Sequence, residues 1–296
     1  MRNHASATAK VIAAATIFLH AQRQECGLVS QEAAQLCAKF LSTSFGDRLL
    51  LLAASTRTLA WLCWATERAT LAGIIMHYAK RKRTTEREVR AYLQSAVISN
   101  VYVLGAGFDT LSLRIAHEFP NVRFIEIDHP ATQAVKMRAL AQAQVLPKNL
   151  EFRACDLRTA VLEKLFPTSQ ADTDPGNRLV IAEGLLMYFT ATQVEELLRA
   201  AIKPGENGAR HNICIFSYME QIDDLPAGFR PRSWLIERWL ALKREPFLWS
   251  AGKEALAAVV ARAGGEIKAL IAARDLDGVA SVDQIRGENL VVARTG

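Results

Sequence analysis

The feature that most constrains the fold is an apolar, β-branched run that ends in two closely spaced glycines, Val101-Tyr-Val-Leu-Gly-Ala-Gly-Phe-Asp-Thr-Leu111. Such a run, followed by a polar stretch, is typical of a buried strand, a tight turn and the N-terminus of a helix. Because glycine has no side chain, the backbone at Gly105 and Gly107 can approach a ligand closely. The stretch therefore predicts a ligand-binding strand–turn–helix unit.

A second strand with an acidic end follows this unit, Val122-Arg-Phe-Ile-Glu-Ile-Asp128. Asp128 lies 23 residues after Gly105. In dinucleotide-type folds, an acid about 20 residues after the first glycine accepts hydrogen bonds from ribose hydroxyls. We therefore predict that Asp128 binds the ribose of a nucleoside-containing ligand.

The residues after the glycines indicate which nucleoside this is. Thr110 stands where a dinucleotide fingerprint has its third glycine, and Asp109 precedes it at the start of the helix. A carboxylate there would repel a pyrophosphate and take its place at the helix dipole. S-adenosylmethionine fits, since it contains adenosine and no phosphate. Asp109 has an alternative role as a helix-start residue that binds free backbone amides, and the two roles are compatible.

Composition bounds the class of protein. The chain has 296 residues, of which 50% are hydrophobic, enough for one large domain or a domain with an appendage. The net charge of +6 is modest and forms no long basic block, so we expect no nucleic-acid partner. The apolar stretch 11–19 is too short to span a bilayer, so we expect no membrane association.

The cysteines and histidines indicate the compartment and argue against metal. Five cysteines are widely spaced, no Cys-x-x-Cys occurs, and the six histidines are scattered. We therefore expect no disulfide framework, no metal site and a cytoplasmic location. The cysteines are Cys26, Cys37, Cys63, Cys155 and Cys214.

Two parts of the chain differ in periodicity. Residues 1–98 show helical periodicity and are predicted to form a helical cap that leads into the core, 99–296. From there strands alternate with helices, which predicts an α/β, Rossmann-like, mostly parallel sheet with helices on both faces and a helical N-terminal cap. The predicted strands are 100–104, 122–127, 150–153, 178–182 and 211–217, with closing strands at 265–272 and 288–293.

Local signals complete the prediction. Ser30 and Thr190 are predicted to cap helices, the second of them 192–202. A further helix is predicted over 131–144, and Thr-Asp-Pro-Gly-Asn at 173–177 is typical of a surface turn.

Functional side chains are expected at one edge of the sheet. In doubly wound sheets, ligands bind beyond the carboxyl ends of the strands. The predicted strand ends carry the glycine turn, Asp128, Asp156, Glu183 and Tyr218. Residues 219–250 break the strand–helix rhythm with a Pro/Gly-containing loop and clustered aromatics, which predicts either a substrate lid or an aromatic-packed domain edge.

Three motifs together resemble leucine carboxyl methyltransferases, a family of class I S-adenosylmethionine-dependent enzymes. They are Leu-Gly-Ala-Gly-Phe-Asp-Thr at 104–110, Glu-Ile-Asp-His-Pro at 126–130 and Ile-Ala-Glu-Gly-Leu-Leu-Met-Tyr at 181–188. The stretch 81–90 is similar to the helix that precedes the glycine turn in bacterial members. The resemblance covers roughly 80–250; the first 75 residues match poorly, so it does not carry over the family's acceptor.

The resemblance implies a role for each matching residue. Arg81 would bind the carboxylate of the cofactor's methionine end, and Glu183 would lie near its amino group. Gly105 and Gly107 would contact the methionine end, and Asp128 would bind both ribose hydroxyls. Asp156 and Leu157 would meet the adenine, and Lys10 is a candidate for the family's N-terminal cofactor-binding lysine.

The expected reaction is methyl transfer from a sulfonium to an oxygen of a small-molecule or carboxylate-bearing acceptor. A carboxylate acceptor needs no base, whereas a hydroxyl does. Tyr188 and Tyr218 are candidates to orient the acceptor, or they are core aromatics with satisfied hydroxyls. His129 is expected to be structural. Two alternatives are an NAD(P)-dependent oxidoreductase and a non-catalytic cofactor-binding protein.

Overall fold

The computed structural model describes residues 4–22, 27–141, 146–166, 177–203, 211–278 and 285–296. The strands are β1 (Ile98–Leu104), β2 (Arg123–Asp128), β3 (Leu150–Ala154), β4 (Asn177–Ala182), β5 (Ile213–Met219), β6 (Gly265–Ile271) and β7 (Glu288–Thr295). The helices are α1 (Ala7–Gln22), α2 (Gln31–Phe40), α3 (Phe45–Ser55), α4 (Ala60–Thr70), α5 (Ile74–Ser95), α6 (Leu111–Ile115), α7 (Pro130–Leu140), α8 (Ala191–Ile202), α9 (Trp234–Leu242) and α10 (Lys253–Arg262).

The described strands form one seven-stranded sheet in the order β3-β2-β1-β4-β5-β7-β6. Strands β1 to β5 pair in parallel, whereas β7 runs antiparallel to both β5 and β6. The strand order reverses between β1 and β4, and this is where a doubly wound sheet opens a crevice for ligands. The predicted mostly parallel α/β fold is confirmed.

Alternation along the strands gives the sheet two apolar faces. Val101 and Val103 of β1 pack in a cluster with residues of α5 and α6. Tyr102 and Leu104 pack on the opposite face with residues of α8 and α10. Successive side chains of a strand point to opposite faces, so a strand buried on both sides must be apolar throughout. This explains why the β1 sequence shows no polar alternation.

The predicted strand boundaries differ from the observed ones by a few residues. Strand β1 starts at Ile98, because Ile98 already pairs with Asn177 of β4. Strand β5 extends to Met219, because pairing with β7 continues up to Glu288. Helix α7 is described as ending at Leu140, and residues 142–145 of the predicted helix lie outside the described ranges. So do residues 173–176 of the predicted turn.

Helices α1 to α4 pack on one another and on α7, and their cluster reaches Phe108 and Leu113 beside the glycine turn. Helix α5 packs directly on the sheet through Val89 and Leu93. Helix α5 therefore contacts both the predicted helical cap and the predicted core, and the boundary between them at residue 98 stays a prediction.

Across the described ranges, no single helix is long and apolar enough to cross a bilayer. Helices α3 and α4 satisfy that test of length and composition only as a pair, and they meet at a bend of 97°.

Both predicted helix caps are confirmed. The Ser30 hydroxyl accepts a hydrogen bond from the Ala33 amide at 3.2 Å. At α8 the Thr190 hydroxyl accepts from the Gln193 amide, and the Gln193 side chain accepts from the Thr190 amide at 3.0 Å. This is a complete capping box.

The capping box leads to a prediction about stability. Thr190→Ala should lower the free energy of unfolding by about 1 kcal/mol, because it removes a side-chain acceptor from the first turn of α8. Urea unfolding followed by circular dichroism measures this. Thr192→Ala, at an exposed position in the same turn, is the matched control; equal losses for the two variants would contradict a capping role.

Candidate functional site

The glycine turn between β1 and α6 has a backbone that other residues do not readily adopt. Gly105 and Gly107 have φ values of +62° and +49°. A Cβ atom on Gly105 would lie 2.6 Å from Cδ1 of Leu185, too close for any side chain. The Gly105 amide donates to the carbonyl of Ile127 at 2.8 Å. The turn is therefore set tightly between β2 and the segment after β4.

Asp128, at the end of β2, braces this turn. One carboxylate oxygen accepts from the Gly107 amide at 2.5 Å and the other accepts from the His129 amide at 2.6 Å. Burial raises the pKa of Asp128 above its ordinary value, and the two amides oppose that shift. Each carboxylate oxygen can accept a second hydrogen bond, so Asp128 can also accept from ligand hydroxyls.

Two adjoining cavities form one groove along the strand ends. A cavity of about 140 Å³ lies over the glycine turn, and one of about 80 Å³ lies beside Asp156 and Leu157. Together their walls contain all but one of the predicted site residues, namely Arg81, Gly105, Gly107, Asp128, Asp156, Leu157, Glu183 and Tyr188. We call these two cavities the cofactor groove. Their roles toward a ligand stay predictions.

One end of the cofactor groove carries charges of both signs. The Arg81 Nε and Nη2 atoms both lie 3.0 Å from Oε1 of Glu183, and Arg81 also forms an ion pair with Glu288. The Lys82 ammonium lies 3.3 Å from the same Glu183 oxygen and pairs with Asp109. Sequence reasoning missed Lys82, which points into the groove from the same helical turn as Arg81.

Asp109 has the position that both of its predicted roles require. Its carboxylate accepts from the Leu111 amide at 2.7 Å, at the start of α6. Burial alone would raise the pKa of Asp109, but the Lys82 ammonium and the Leu111 amide hold it well below its usual range. The amide at the start of α6 is therefore already bound to a carboxylate, which takes the position that a pyrophosphate would use.

Helix α1 covers the groove. Ser6, Thr8 and Ala9 line it, and a Cβ atom on Gly107 would lie 3.3 Å from that of Ala9. Lys10 does not line the groove, because its ammonium pairs with Asp47 at 2.7 Å on the other side of the helix. The prediction that Lys10 is the N-terminal cofactor-binding lysine is not supported by this position.

The two predicted acceptor-orienting tyrosines lie in different surroundings. Tyr188 lines both cavities of the groove, and its hydroxyl donates to that of Thr8 at 3.5 Å. Tyr218 is fully buried among core residues, packs against Trp249 and lines neither cavity. The prediction for Tyr218 is therefore corrected: it is a core aromatic, because its side chain shares a face of β5 with the α8–α10 core.

A third cavity of about 400 Å³, which we call the apolar cavity, lies between α1, α4, α5 and the predicted lid. Its walls include Tyr78, Phe229, Trp239 and Phe247. Thr8 lines both this cavity and the cofactor groove, so the two meet there. Two other aromatics of the predicted lid do not line this cavity, since Trp249 packs in the main core and Trp234 is exposed.

A fourth cavity, of about 520 Å³, adjoins the opposite, charged end of the groove, and we call it the basic cavity. It shares Lys82, Asp109 and Glu183 with the groove. Its arginines are Arg83, Arg87, Arg90 and Arg114. Each of them forms an ion pair with a carboxylate of the protein.

Comparison with known proteins identifies the fold and the family. The family model described as leucine carboxyl methyltransferase matches residues 10–202. A DUF574 family protein from Streptomyces avermitilis MA-4680 superposes with a TM-score of 0.58 at 14% identity, over 88% of this chain and 97% of that one. A methyltransferase candidate from Thermobifida fusca YX superposes with a TM-score of 0.56 at 15% identity, over 88% and 93% of the two chains. No curated protein sequence matches the chain.

At these identities the structural likenesses show the fold alone, whereas the family match shows more. It spans about two thirds of the chain and includes the glycine turn, Asp128 and Glu183. The resemblance based on three sequence motifs is thereby confirmed, and with it the cofactor, S-adenosylmethionine. The chain belongs to the leucine carboxyl methyltransferase family of S-adenosylmethionine-dependent methyltransferases.

Proposed function

We propose that this protein transfers a methyl group to an oxygen atom of a small-molecule acceptor. One observation carries the proposal: the apolar cavity meets the cofactor groove at Thr8, on the carboxyl side of the sheet. An acceptor in that cavity would face a cofactor in the groove. Oxygen is supported by the family description, which names a carboxyl group as the acceptor.

The residues of the groove fit S-adenosylmethionine in shape and charge. The glycine turn brings backbone without side chains to the wall of the groove, and Asp128 offers acceptors for ribose hydroxyls. Arg81 and Lys82 supply positive charge for the methionine carboxylate, and Glu183 supplies negative charge for the amino group. Asp156 and Leu157 line the end proposed for the adenine.

When bound, the cofactor supplies a methyl group already activated on a sulfonium. The protein's own contribution is then largely positioning, which can account for several kcal/mol of a barrier, up to about 7–11 kcal/mol in the best intramolecular models. Tyr188 is placed for this role, since it lines the groove and its ring centroid lies 5.5 Å from that of Phe247 in the apolar cavity. Burial raises the pKa of Tyr188, so its hydroxyl stays a hydrogen-bond donor.

The ribose assignment yields a direct prediction. Asp128→Asn should raise the dissociation constant for S-adenosylmethionine at least tenfold, or about 1.4 kcal/mol. Two effects contribute: the charge opposite the ribose is lost, and one amide of the turn faces an NH₂ group in place of an acceptor. Isothermal calorimetry measures the affinity, with Glu151→Gln, at an ion pair on the neighbouring strand β3, as the control. Unchanged affinity in folded Asp128→Asn would remove Asp128 from the ribose site.

Two measurements separate the proposal from its alternatives. Calorimetry with S-adenosylmethionine and with NAD should show binding of the first only; binding of NAD alone would favour an oxidoreductase. Incubation of the protein with a metabolite extract and methyl-labelled cofactor should give a labelled product. Cofactor binding without any transfer would favour a non-catalytic binding protein.

The compartment and the absence of nucleic-acid and membrane partners stay expectations from the sequence. In the described part of the chain, Cys37, Cys63, Cys155 and Cys214 are free thiols. Free thiols are compatible with the reducing cytoplasm that we propose.

A further inference from the structure

We infer that the acceptor is an uncharged phenol bound in the apolar cavity, and that Glu245 is the base that removes its hydroxyl proton. The inference rests on the O-methyl transfer proposed above and specifies its acceptor. It depends on two independent features, which are the chemistry of the apolar cavity and the position of Glu245 at its junction with the cofactor groove.

The apolar cavity is suited to an uncharged aromatic ring. None of the described residues that line it carries a charge, and its only polar side-chain groups are hydroxyls and the Trp239 indole N–H. Tyr78, Phe229 and Phe247 are arranged edge to face, with neighbouring ring centroids 5.9–6.3 Å apart. Such walls favour another aromatic ring, and a volume of about 400 Å³ is that of a small-molecule pocket.

A carboxylate acceptor fits this cavity poorly. A buried carboxylate without a cationic partner carries a large desolvation penalty. The Glu245 carboxylate, which contacts Thr8 at the junction, would repel that of the acceptor. A phenol carries no charge before it reacts, so it can enter the cavity and donate a hydrogen bond toward that same carboxylate.

The turn after α9 holds Glu245 at the junction. Arg244 adopts a left-handed conformation with φ of +58°, and the Glu245 amide donates to the Leu240 carbonyl at 2.8 Å. These are the features of a Schellman motif, which ends a helix in a defined geometry. At the end of this turn, the Glu245 side chain lines the cofactor groove and is almost fully buried.

The contacts of Glu245 join it to the residue that both cavities share. Its carboxylate accepts from the hydroxyl of Thr8 at 2.5 Å and from the amides of Thr8 and Ala7 at 3.1 and 3.3 Å. These amides form the N-terminus of α1, which favours a negative charge. A carboxylate that contacts Thr8 is placed where an acceptor hydroxyl in the apolar cavity would meet the cofactor groove.

The step balances without another reactant. The phenol oxygen forms a bond to the methyl carbon, and the carbon–sulfur bond breaks with its electron pair remaining on sulfur, which becomes a neutral thioether. The hydroxyl proton passes to the Glu245 carboxylate and from there to solvent after product release. A phenol needs such a base, since its ordinary pKa is about 10.

The basic cavity is the competing acceptor site, and it would suit a carboxylate. It meets the groove, however, at Lys82 and Glu183, the end proposed for the methionine charges. The geometry therefore favours the apolar cavity, and the experiments below test the two against each other.

The first experiment compares two probes of similar size, 2-naphthol and 2-naphthoate, by calorimetry on the protein saturated with S-adenosylhomocysteine. We expect 2-naphthol to bind at least tenfold more tightly. Trp239→Ala should weaken 2-naphthol at least fivefold, whereas Trp234→Ala, at an exposed position on the same helix, should change it less than twofold. Tighter binding of 2-naphthoate, or equal effects of the two tryptophan variants, would overturn the assignment of the cavity.

The second experiment replaces Glu245 by glutamine, which retains an acceptor for the α1 amides but cannot take a proton. We expect Glu245→Gln to lower kcat for 2-naphthol at least 100-fold and to leave cofactor affinity within threefold. The binding preference for 2-naphthol over 2-naphthoate should also decrease, because residue 245 no longer repels the 2-naphthoate carboxylate. Glu237→Gln, in an exposed ion pair of the same lid, is the control and should behave like the wild type.

The outcomes distinguish this inference from the proposed function. Methylation of 2-naphthoate but not 2-naphthol, or wild-type turnover in Glu245→Gln, would overturn the phenol and the base while leaving O-methyl transfer intact. Failure to bind S-adenosylmethionine at all would instead overturn the proposed function. If Glu245→Gln loses the fold, Thr8→Val tests the same junction, and unaltered kcat there together with unaltered probe preference would count against the inference.

Discussion

Replacing Lys136 with methionine is expected to lower the free energy of unfolding by about 3–5 kcal/mol, the usual cost of leaving one member of a buried ion pair uncompensated. The Lys136 ammonium lies 2.6 Å from Oε2 of Glu126, and each side chain is only 1% exposed. Burial raises the pKa of Glu126, and Lys136 opposes that shift. Without the lysine, the carboxyl must be buried unpaired or protonated.

The same ammonium connects this pair to the cofactor groove, because it donates to the backbone carbonyl of Asp109 at 2.6 Å. Lys136→Met should therefore also weaken S-adenosylmethionine, since the loop after the glycine turn loses an anchor. Guanidinium unfolding and calorimetry measure the two effects.

A double-mutant cycle separates the ion pair from simple packing. Lys136→Met combined with Glu126→Leu should recover most of the lost stability, because an apolar pair can replace a buried ion pair at little cost. Arg138→Met, at an exposed position on the same helix, is the control and should change stability by less than about 0.5 kcal/mol. Additive losses in the cycle would show that the pair is not coupled.

Replacing Arg81 with methionine is expected to cost a similar amount, about 3–5 kcal/mol, because it leaves two buried carboxylates short of their partner. The Arg81 side chain is 3% exposed and pairs with Glu183 and Glu288. His77 at 3.2 Å and Ser217 at 2.8 Å still contact Glu288 in the variant. These two contacts can compensate for only part of the stabilisation that Glu288 loses with the Arg81 ion pair.

The dependence of this loss on pH provides a check. Burial alone would raise the pKa of Glu288, but Arg81 and His77 lower it from 4.5 to about 2. A carboxyl whose pKa is lowered in the folded state contributes its full stabilisation at pH values above its unfolded-state pKa. This stabilisation is lost as the pH falls toward the folded-state pKa. The stability difference between wild type and Arg81→Met should therefore narrow between pH 4.5 and pH 2. A difference that stays constant over this range would contradict the ion-pair explanation.

Ligand comparison tests the proposed role of Arg81 in the same variant. If Arg81 binds the methionine carboxylate, Arg81→Met should weaken S-adenosylmethionine more than its decarboxylated analogue, because the analogue has no group for Arg81 to bind. Lys82→Met is the parallel variant, since Lys82 lies beside Arg81 at the same end of the groove. Equal losses of affinity for both ligands in Arg81→Met would restrict Arg81 to a structural role. If Lys82→Met then weakens S-adenosylmethionine more than the analogue, the methionine carboxylate would be assigned to Lys82.

Much of the sheet could be predicted from the sequence because its signals are local. The β-branched runs, the glycine turn and the caps at Ser30 and Thr190 each depend on residues within one turn or strand, and the structure has them in place. Asp128 could be predicted for the same reason: it ends a strand next to the glycine turn, and parallel neighbours bring their carboxyl ends together.

The choice between the two tyrosines shows where local signals fail. In β5, side chains alternate between faces, so Tyr218 joins the core with Phe216 while Ser217 points to the opposite face and reaches Glu288. The alternation of side chains along the strand does not show which face contacts the ligand. Tyr188 ends a short 3₁₀ helix (Leu186–Tyr188) after β4, and its contact with Thr8, 180 residues away, places it at the junction.

By itself, the sequence determined the fold class, the family and the groove residues that follow the strands, because these depend on short motifs whose spacing the parallel sheet converts into proximity. Only the tertiary structure decided what surrounds them. Glu288 reaches Arg81 across 207 residues, and Glu245 reaches Thr8 across 237. Partners so far apart in the chain meet only after the sheet, the N-terminal helices and residues 219–250 have packed, since ion pairing and burial depend on distance in space and leave no periodic trace in the sequence.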